Sequence, residues 1–298
     1  MVISMIEING KTRTCGLIGN PVEHTMSPTV HNTLAQLMGI NMAYVPFHVK
    51  DGQLAAAIKG AYGLNILGMN VTVPYKSDVI AQLAEIDTLA DKIGAVNTLV
   101  RVEGGYKGYN TDMTGLLRAM KSDGVSIAGE EVIILGAGGV GRAVAFLCAA
   151  NGADKVHLLN RSVDKAVSVA AEVNRAFGTK CVEAMALADY QTLLGGAENR
   201  YVVVQSTSVG LSPNVGDVVI ADGDFYHFVK FGYDLIYSPW ETKFMEYVTA
   251  NGGVAFNGLK MLLYQAIDAF ELWNGCKVSD EHAQQIYQKL QEKLGLQL

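Results

Sequence analysis

Short apolar runs alternate with helical patterns along almost the whole chain, and this alternation limits the folds that the sequence can adopt. Runs typical of strands lie at residues 12–18, 42–48, 65–73, 96–102, 132–135, 155–159, 201–205, 233–236 and 254–256. Helical patterns fall between most of them, at residues 28–38, 79–85, 114–121, 141–150, 163–177, 243–250 and 258–273. Because strands that alternate with helices form parallel sheets covered on both faces, we predict an α/β fold. Two adjacent glycines, Gly104 and Gly105, predict a hairpin turn.

The sequence changes character after the polar segment at residues 121–130, where a new strand opens at Val132. We therefore place a domain boundary near residues 112–114, with residues 1–113 and 114–257 forming two domains. We expect residues 258–298 to return to the first domain, which leaves a cleft between the two. A chain of 298 residues, half of them hydrophobic, is long enough for two such cores.

Composition excludes several classes of protein. No run approaches the roughly 20 apolar residues of a membrane-spanning helix, and the start lacks the pattern of a secretory leader. A net charge of −6 argues against a nucleic-acid partner. The four cysteines, Cys15, Cys148, Cys181 and Cys276, have no metal-binding or redox spacing. We predict a cytoplasmic protein without metal that binds a small molecule, as a monomer or a homodimer.

A glycine-rich turn joins the strand at residues 132–135 to the helix after it. The turn consists of Gly136, Ala137, Gly138, Gly139, Val140 and Gly141. Glycines in a strand–turn–helix of this kind allow a tight turn and let backbone N–H groups approach a pyrophosphate at the positive helix end. The alternative is a plain glycine-rich turn with no ligand.

The next strand ends before Asn160, Arg161 and Ser162, and Lys165 follows closely. Enzymes that use NAD place an acidic residue here for the ribose hydroxyls, and such a residue would repel a 2′-phosphate. Arg161 and Ser162 can instead bind that phosphate by charge and hydrogen bonds, so the residues favour NADP. The alternative is that Arg161 is a solvated loop cation, and Asp164 lies close enough to weaken the preference.

Polar residues stand at unusual places in the first domain. Thr25 and Ser27 precede a helix with Pro28 in its first turn, where hydroxyls can hold a carboxylate, although Ser27 is also a natural N-cap. In the strand at residues 65–73, Asn70 and Thr72 share one face. Lys76 follows in the first turn of a helix expected to start at Pro74. It is a candidate general acid and base, or else a solvated surface lysine.

Two further polar residues follow in the first domain, and the other candidates lie later in the chain. Asn97 enters a strand and Asp112 precedes a helix; an ordinary turn asparagine and an ordinary N-cap are the alternatives. Met261 and Gln265 are four apart and share a helix face, although Met261 alone would suit a core. The remaining candidates lie in or after predicted strands and are Thr207, Leu235, Tyr237 and Gly258.

Taken together, these stretches resemble the shikimate dehydrogenase family. Its G-x-P-x-x-H-S-x-S-P-x-x-H-N, N-V-T-x-P-x-K, G-A-V-N-T and N-T-D-x-x-G patterns correspond to residues 19–32, 70–76, 94–98 and 110–115. Its G-A-G-G, N-R-S/T, D-x-x-Y-x-P and G-x-x-M-L-x-x-Q-A patterns correspond to residues 136–139, 160–162, 234–239 and 258–266. Eight motifs in the family order make a chance resemblance very improbable.

The resemblance implies an N-terminal α/β substrate domain and a Rossmann-like NADP-binding domain, separated by a cleft. It implies reversible hydride transfer between NADPH and the ring carbonyl of 3-dehydroshikimate, giving shikimate for aromatic amino acid biosynthesis. Lys76 and Asp112 would form the catalytic pair, and which of them carries the proton stays open. The substrate carboxylate would be held by Thr25, Ser27 and Tyr237, and the ring hydroxyls by Asn70, Thr72, Asn97 and Gln265.

On the cofactor side, the resemblance assigns the turn from Gly136 to Gly141 to the pyrophosphate. Asn160, Arg161, Ser162 and Lys165 would bind the 2′-phosphate, with Thr207 also on the cofactor side. Leu235, Gly258 and Met261 would flank the nicotinamide.

The chain departs from the family pattern at two positions. Thr25 replaces a serine and adds a methyl group, and Gln205 replaces an asparagine and lengthens a cofactor-side amide by one methylene. The alternatives are a quinate/shikimate dehydrogenase that uses NAD or NADP, and a non-catalytic NADP-binding regulator.

Overall fold

The structure, a computed structural model, describes residues 7–195 and 200–296. It confirms the predicted α/β fold, with two six-stranded sheets among these residues. The chain divides into two compact units, one comprising Met1–Leu116 and Leu262–Leu298, the other Leu117–Met261. The boundaries placed at residues 113 and 257, and the function assigned to each domain, stay predictions.

The first unit contains a mixed sheet with strand order β2-β1-β3-β5-β6-β4. Its strands are β1 Arg13–Gly19, β2 Met42–His48, β3 Gly68–Val71, β4 Glu85–Ile86, β5 Thr98–Val102 and β6 Gly105–Tyr109. β1 pairs in parallel with β2 and β3, whereas β5 is antiparallel to both β3 and β6. The hairpin predicted at the two glycines is confirmed, because Gly104 turns the chain between β5 and β6 with φ of +81°.

Helices α1 Ser27–Leu37, α2 Leu54–Gly63, α3 Thr88–Ile93 and α10 Asp280–Lys293 lie in the first unit. The helices α4 Thr111–Ser122 and α9 Leu259–Asn274 each begin or end in it. The helix predicted at residues 79–85 is wrong, since the structure has a 3₁₀-helix at Asp78–Gln82 followed by β4. Only Val79 of its apolar residues is fully buried, so the segment has no continuous helical face to pack.

The second unit contains a fully parallel sheet with strand order β12-β11-β10-β7-β8-β9. Its strands are β7 Glu131–Leu135, β8 Lys155–Asn160, β9 Val182–Ala186, β10 Tyr201–Gln205, β11 Val229–Asp234 and β12 Val254–Phe256. The helices α5 Gly139–Ala150, α6 Val163–Phe177, α7 Gly223–Tyr226 and α8 Lys243–Ala250 connect them, with a 3₁₀-helix at Leu187–Leu194. The predicted strand at residues 233–236 is displaced, because β11 starts at the buried Val229, which pairs with Tyr201.

The order in which successive strands are added to the second sheet reverses at β7, which has β8 and β9 on one side and β10, β11 and β12 on the other. This is the doubly wound Rossmann-like order that the resemblance implied. In such sheets ligands bind at the carboxyl ends of the strands beside the reversal. The turns after β7, β8 and β10 are therefore placed where a nucleotide would bind.

Candidate functional site

An ion pair between Lys76 and Asp112 lies in the first unit. Lys76 Nζ donates to Asp112 Oδ2 at 2.7 Å, and the two side chains are 35% and 21% exposed, so a small molecule can reach both. Lys76 lies in a turn after β3, not in the first turn of a helix as predicted. That turn is held by Val96 N–H, which donates to the Lys76 carbonyl at 2.8 Å. The pair brings together two residues that are 36 positions apart in the sequence.

Asp112 does not cap α4, because Asn110 occupies that role. Asn110 Oδ1 accepts from Met113 N–H at 3.2 Å, and its Nδ2 donates to the Ala95 carbonyl at 3.0 Å. Asp112 is thereby free to use Oδ2 for Lys76, while Oδ1 has no hydrogen-bond partner among the residues that the structure describes. The carboxylate can accept one further hydrogen bond from a ligand.

Asn97 is held with its amide nitrogen available. Its Oδ1 accepts from the Thr111 N–H at 2.6 Å and from the hydroxyls of Thr98 and Thr111, each at 3.2 Å. Because a backbone N–H can only donate, the atom that faces it must be the amide oxygen. Asn97 Nδ2 donates to no acceptor within the described chain, so it presents N–H donors to a ligand.

Asn70 has the opposite bonding pattern. Tyr44 Oη donates to its Oδ1 at 2.8 Å, and its Nδ2 donates to Thr98 Oγ1 at 3.0 Å and to the Asn97 carbonyl at 3.3 Å. Both N–H groups of Asn70 are used inside the protein, and a free lone pair on Oδ1 remains. If Asn70 meets a ligand hydroxyl, it can only accept from it.

Two aromatic residues that sequence reasoning missed support Asn70. The ring of His31 is fully buried and stacks on Tyr44 with 4.2 Å between centroids. Burial lowers the pKa of His31 to about 3 and raises the pKa of Tyr44 well above its usual value, so both rings are neutral. The alternation of β2 places Tyr44 on the buried face and is the signal that could have identified it.

Thr25 and Ser27 form a hydroxyl pair at the start of α1. Thr25 Oγ1 donates to Ser27 Oγ at 3.1 Å and accepts from Ser27 N–H at 3.2 Å. The predicted N-cap at Ser27 is wrong, since Met26 precedes the helix and no side chain caps it. Both hydroxyls are half-buried beside the positive end of an eleven-residue helix, where an anion is stabilised.

The last two predicted substrate residues of this unit are Gln265 and Thr72. Gln265 lies where α9 packs on α4, and Thr72 lies just after β3. Gln265 lies on α9 and its Nε2 donates to the Leu262 carbonyl at 2.9 Å. A Cβ at Gly115 of α4 would collide with the backbone of Gln265, so this glycine sets how closely α9 approaches. Thr72 follows the end of β3 and is half-buried.

In the second unit, the glycine turn after β7 contains glycines of two kinds. Gly136 has φ of +104°, and a Cβ at Gly141 would collide with the Gly136 carbonyl oxygen. Those two glycines are required by the turn itself. A Cβ at Gly138 or Gly139 would meet no described atom within 4 Å. The space beside them is open at the start of α5, where the first backbone N–H groups lack helical partners.

Asn160 joins the end of β8 to the glycine turn. Its Oδ1 accepts from Ala137 N–H at 3.0 Å, and its Nδ2 donates to the Ser162 carbonyl at 2.9 Å. The predicted phosphate-binding residues Arg161, Ser162 and Lys165 are exposed at the start of α6. Two cations and a helix N-terminus make this an anion-binding position.

A cavity of about 470 Å³ opens beside Arg161. Leu187, Val219 and Ile220 contribute apolar surface, and Tyr190 lies among them with its hydroxyl donating to Asp222 at 2.7 Å. An apolar slot next to a guanidinium is suited to a flat aromatic base. No local motif in the sequence marks these lining residues, so they were not predicted.

The remaining candidates lie after β10 and β11. Thr207 Oγ1 donates to Gln205 Oε1 at 2.7 Å. Gly258 is buried and donates from its backbone to the Ile236 carbonyl at 3.0 Å, and a Cβ there would collide with the Leu235 carbonyl. Leu235, Tyr237 and Met261 are all half-buried and so partly accessible to a ligand.

No grouping of His, Cys, Asp and Glu within residues 7–195 and 200–296 could hold a metal ion. No helix there has the length and apolar character needed to cross a bilayer.

Comparison with known proteins identifies relatives over almost the whole chain. Family models described as the shikimate dehydrogenase substrate binding domain, shikimate / quinate 5-dehydrogenase and the shikimate 5′-dehydrogenase C-terminal domain match residues 17–99, 118–212 and 258–289. Shikimate dehydrogenase (NADP(+)) of Methanobrevibacter smithii is 38% identical over 270 residues, which cover 91% of this chain and 94% of the relative.

Solved structures show the same likeness. Shikimate 5-dehydrogenase from Listeria monocytogenes, in complex with shikimate and NAD, has a TM-score of 0.87 and 30% identity, covering 94% of this chain and 97% of its own. A shikimate dehydrogenase in complex with NADP⁺ has a TM-score of 0.84 and 33% identity, with coverage of 95% and 97%.

Proposed function

The chain belongs to the shikimate dehydrogenase family, and we propose that it catalyses the reversible NADPH-dependent reduction of 3-dehydroshikimate to shikimate. The observation that carries this proposal is the ion pair of Lys76 and Asp112, which is accessible and retains free hydrogen-bonding capacity on both partners. A protein that only bound a nucleotide would need neither residue.

The chemistry requires a proton at the substrate oxygen. Reduction of a ring carbonyl leaves an alkoxide, and Lys76 Nζ donates a proton to it and takes the proton back in the oxidation of shikimate. Asp112 Oδ2 holds the ammonium in position, and its Oδ1 accepts from a substrate hydroxyl. Asn97 Nδ2 donates to a ring oxygen of the substrate, and Asn70 Oδ1 accepts from a ring hydroxyl.

The carboxylate of the substrate binds at the hydroxyl pair of Thr25 and Ser27. The helix N-terminus and the two O–H groups both favour an anion there. As the resemblance implies, Thr72 and Gln265 help to bind the ring hydroxyls, and Tyr237 helps to bind the carboxylate. The methyl group of Thr25 is compatible with the half-buried position that the residue has.

The residues of the second unit fit NADPH, which would supply the hydride for the reduction and, as NADP⁺, would accept it in the oxidation of shikimate. The turn from Gly136 to Gly141 offers open space at Gly138 and Gly139 for a pyrophosphate. Arg161, Ser162 and Lys165 bind the 2′-phosphate, and Asn160 keeps the glycine turn in place beside them. The cavity beside Arg161 takes the adenine ring. Thr207, Leu235, Gly258 and Met261 line the path toward the nicotinamide.

Four pairings of substrate and coenzyme test the proposal. The purified protein is offered shikimate or quinate with NADP or NAD, and formation of the reduced coenzyme is followed by absorbance. We expect turnover with shikimate and NADP to exceed the other three pairings. Comparable turnover with quinate or NAD would assign the chain to a broader quinate/shikimate dehydrogenase. Retained NADPH binding without turnover would favour the non-catalytic regulator. The cytoplasmic location and the monomeric or homodimeric state stay predictions.

A further inference from the structure

Gln205 occupies a central position at the carboxyl edge of the second sheet. It is the last residue of β10 and is paired with Leu135 of β7 on one side and with Asp234 of β11 on the other. Its side chain is 1% exposed. A buried amide must be hydrogen-bonded to be tolerated there, so its partners show what holds this edge together.

The amide oxygen of Gln205 closes the turn that follows β10. Gln205 Oε1 accepts from Thr207 N–H at 2.6 Å and from Thr207 Oγ1 at 2.7 Å. Since the backbone N–H can only donate, the orientation of the amide is determined. The amide nitrogen then donates to the Val209 carbonyl at 3.1 Å, so the turn at residues 206–209 is folded around one side chain.

The same nitrogen connects the turn to the segment after β11. Gln205 Nε2 donates to Asp234 Oδ1 at 3.3 Å, and Oδ1 also accepts from Ile236 N–H at 3.0 Å. Asp234 Oδ2 accepts from Thr242 Oγ1 at 2.6 Å. Asp234 is fully buried, so its carboxylate has these partners in place of water. A displacement of the Gln205 side chain would therefore also displace the segment that carries Leu235 and Tyr237.

A neighbouring hydroxyl extends this network to the glycine turn. Ser206 Oγ donates to the Leu135 carbonyl at 2.8 Å and lies 3.2 Å from the Gly136 carbonyl oxygen. The turn at residues 206–209 thus rests against the turn after β7. Three separate segments that carry predicted cofactor residues are joined through residues 205–206.

We propose that Gln205 is a positioning residue whose amide aligns the turn carrying Thr207 with the segment carrying Leu235, and that it thereby sets the affinity for the nicotinamide half of NADPH. The inference rests on the proposed function, because it requires that NADPH binds at these turns. The amide of Gln205 contacts both Thr207 and Asp234. The side chain itself touches no cofactor, so it acts through its neighbours.

The test compares Gln205→Leu with Gln205→Asn in the full-length protein. Leucine matches the size of glutamine but removes the hydrogen bonds of this amide to Thr207 N–H, the Val209 carbonyl and Asp234, whereas asparagine keeps a shorter amide. Val203→Ala is the matched control, since Val203 is buried in the same strand and its side chain has no bond to either turn. Melting temperatures show how much stability each variant loses.

Two binding probes separate positioning from general damage. NADPH is titrated by its fluorescence, and adenosine 2′,5′-bisphosphate, which lacks the nicotinamide half, by competition. We expect Gln205→Leu to raise the Kd for NADPH at least about tenfold while the Kd for the bisphosphate changes less than about twofold. Gln205→Asn should fall between leucine and the wild type, and it provides the comparison if the leucine variant fails to fold.

Three results would overturn the inference. They are an unchanged NADPH Kd in both Gln205 variants, an equal loss of affinity for both probes, and an equal loss of NADPH affinity in Val203→Ala. If the wild type oxidises shikimate with NADP and one of these results is found, the proposed function survives and only this role of Gln205 is refuted. A wild type that does not bind NADPH would refute both.

Discussion

Replacing Lys76 with methionine keeps a long unbranched side chain and removes the ammonium that donates to Asp112 at 2.7 Å. The two side chains are 35% and 21% exposed, and partly exposed ion pairs of this kind contribute about 0–1 kcal/mol to stability. The variant should therefore fold. A positioned general acid or base contributes about 10²- to 10⁴-fold in rate, or about 3–5 kcal/mol of barrier. The expected loss of kcat is thus several times larger than any loss of folding free energy.

The companion variants are Asp112→Asn and the double variant. If Lys76 and Asp112 act as one unit, each single change disables it, and the double variant should lose less than about tenfold beyond the worse single variant. If the two residues acted independently, the fold loss of kcat in the double variant would instead equal the product of the two single losses. Lys107→Met is the control, because Lys107 also forms an ion pair in the first unit, with Glu85 at 3.4 Å, and its side chain is 30% exposed.

The assay measures kcat for shikimate oxidation with NADP, together with NADPH binding and the melting temperature of every variant. We expect Lys76→Met to lose at least about 10²-fold in kcat with NADPH affinity within about twofold of the wild type. Lys107→Met should keep the wild-type kcat. A folded Lys76→Met variant with kcat within tenfold of the wild type would refute the catalytic assignment, as would a loss shared by Lys107→Met.

Other variants test the nucleotide site and the buried carboxylate. Gly139→Ala should fold and weaken NADPH binding at least about fivefold in a fluorescence titration, whereas Gly141→Ala should lower the melting temperature strongly, because only the latter Cβ meets protein atoms. Arg161→Ala should raise the KM for NADP at least about tenfold and leave that for NAD within about threefold, since loss of a charged hydrogen bond affects only the 2′-phosphate. Burial raises the pKa of Asp234 from 3.8 to about 6. Between these two pH values the folded state binds more protons than the unfolded state. The free energy of unfolding therefore falls by up to about 3 kcal/mol as the pH rises from about 4 to about 6. Urea titrations from pH 4 to pH 8 should show this decline in the wild type and lack it in Asp234→Asn; parallel curves would contradict the assignment.

Helices and strands whose two ends are both marked in the sequence were predicted with the residue bounds that the structure shows. The helix predicted at residues 163–177 is α6, and its end is marked by Gly178, whose φ of +64° favours glycine. The strands predicted at residues 42–48 and 201–205 are β2 and β10. The segment at residues 79–85 has no such signal. Its five apolar residues suit either a helix or a turn, and pairing of Glu85 and Ile86 with β6 decides between them.

The sequence predicted which residues belong to the candidate site better than it predicted what each of them does there. Motifs identified Lys76 and Asp112, and the structure places them in contact. His31 lies in the motif at residues 19–32, but the sequence assigned it no role, and Tyr44 in a predicted strand looks like an ordinary core residue. Their function as support for Asn70 depends on contacts between α1, β2 and β3. Such contacts are set by packing and not by local pattern.

Four asparagines show why spacing alone could not assign roles. Asn110 uses its oxygen to cap α4, which frees Asp112, and Asn160 uses its oxygen to hold Ala137 N–H. Asn97 is oriented by Thr111 N–H so that its nitrogen is presented, whereas both N–H groups of Asn70 are used internally. In three of these the orientation is set by a backbone N–H, and at Asn70 by the Asn97 carbonyl, which can only accept. The donors and acceptors presented to a ligand are therefore determined by the fold around each amide, and the sequence can only indicate where an amide stands.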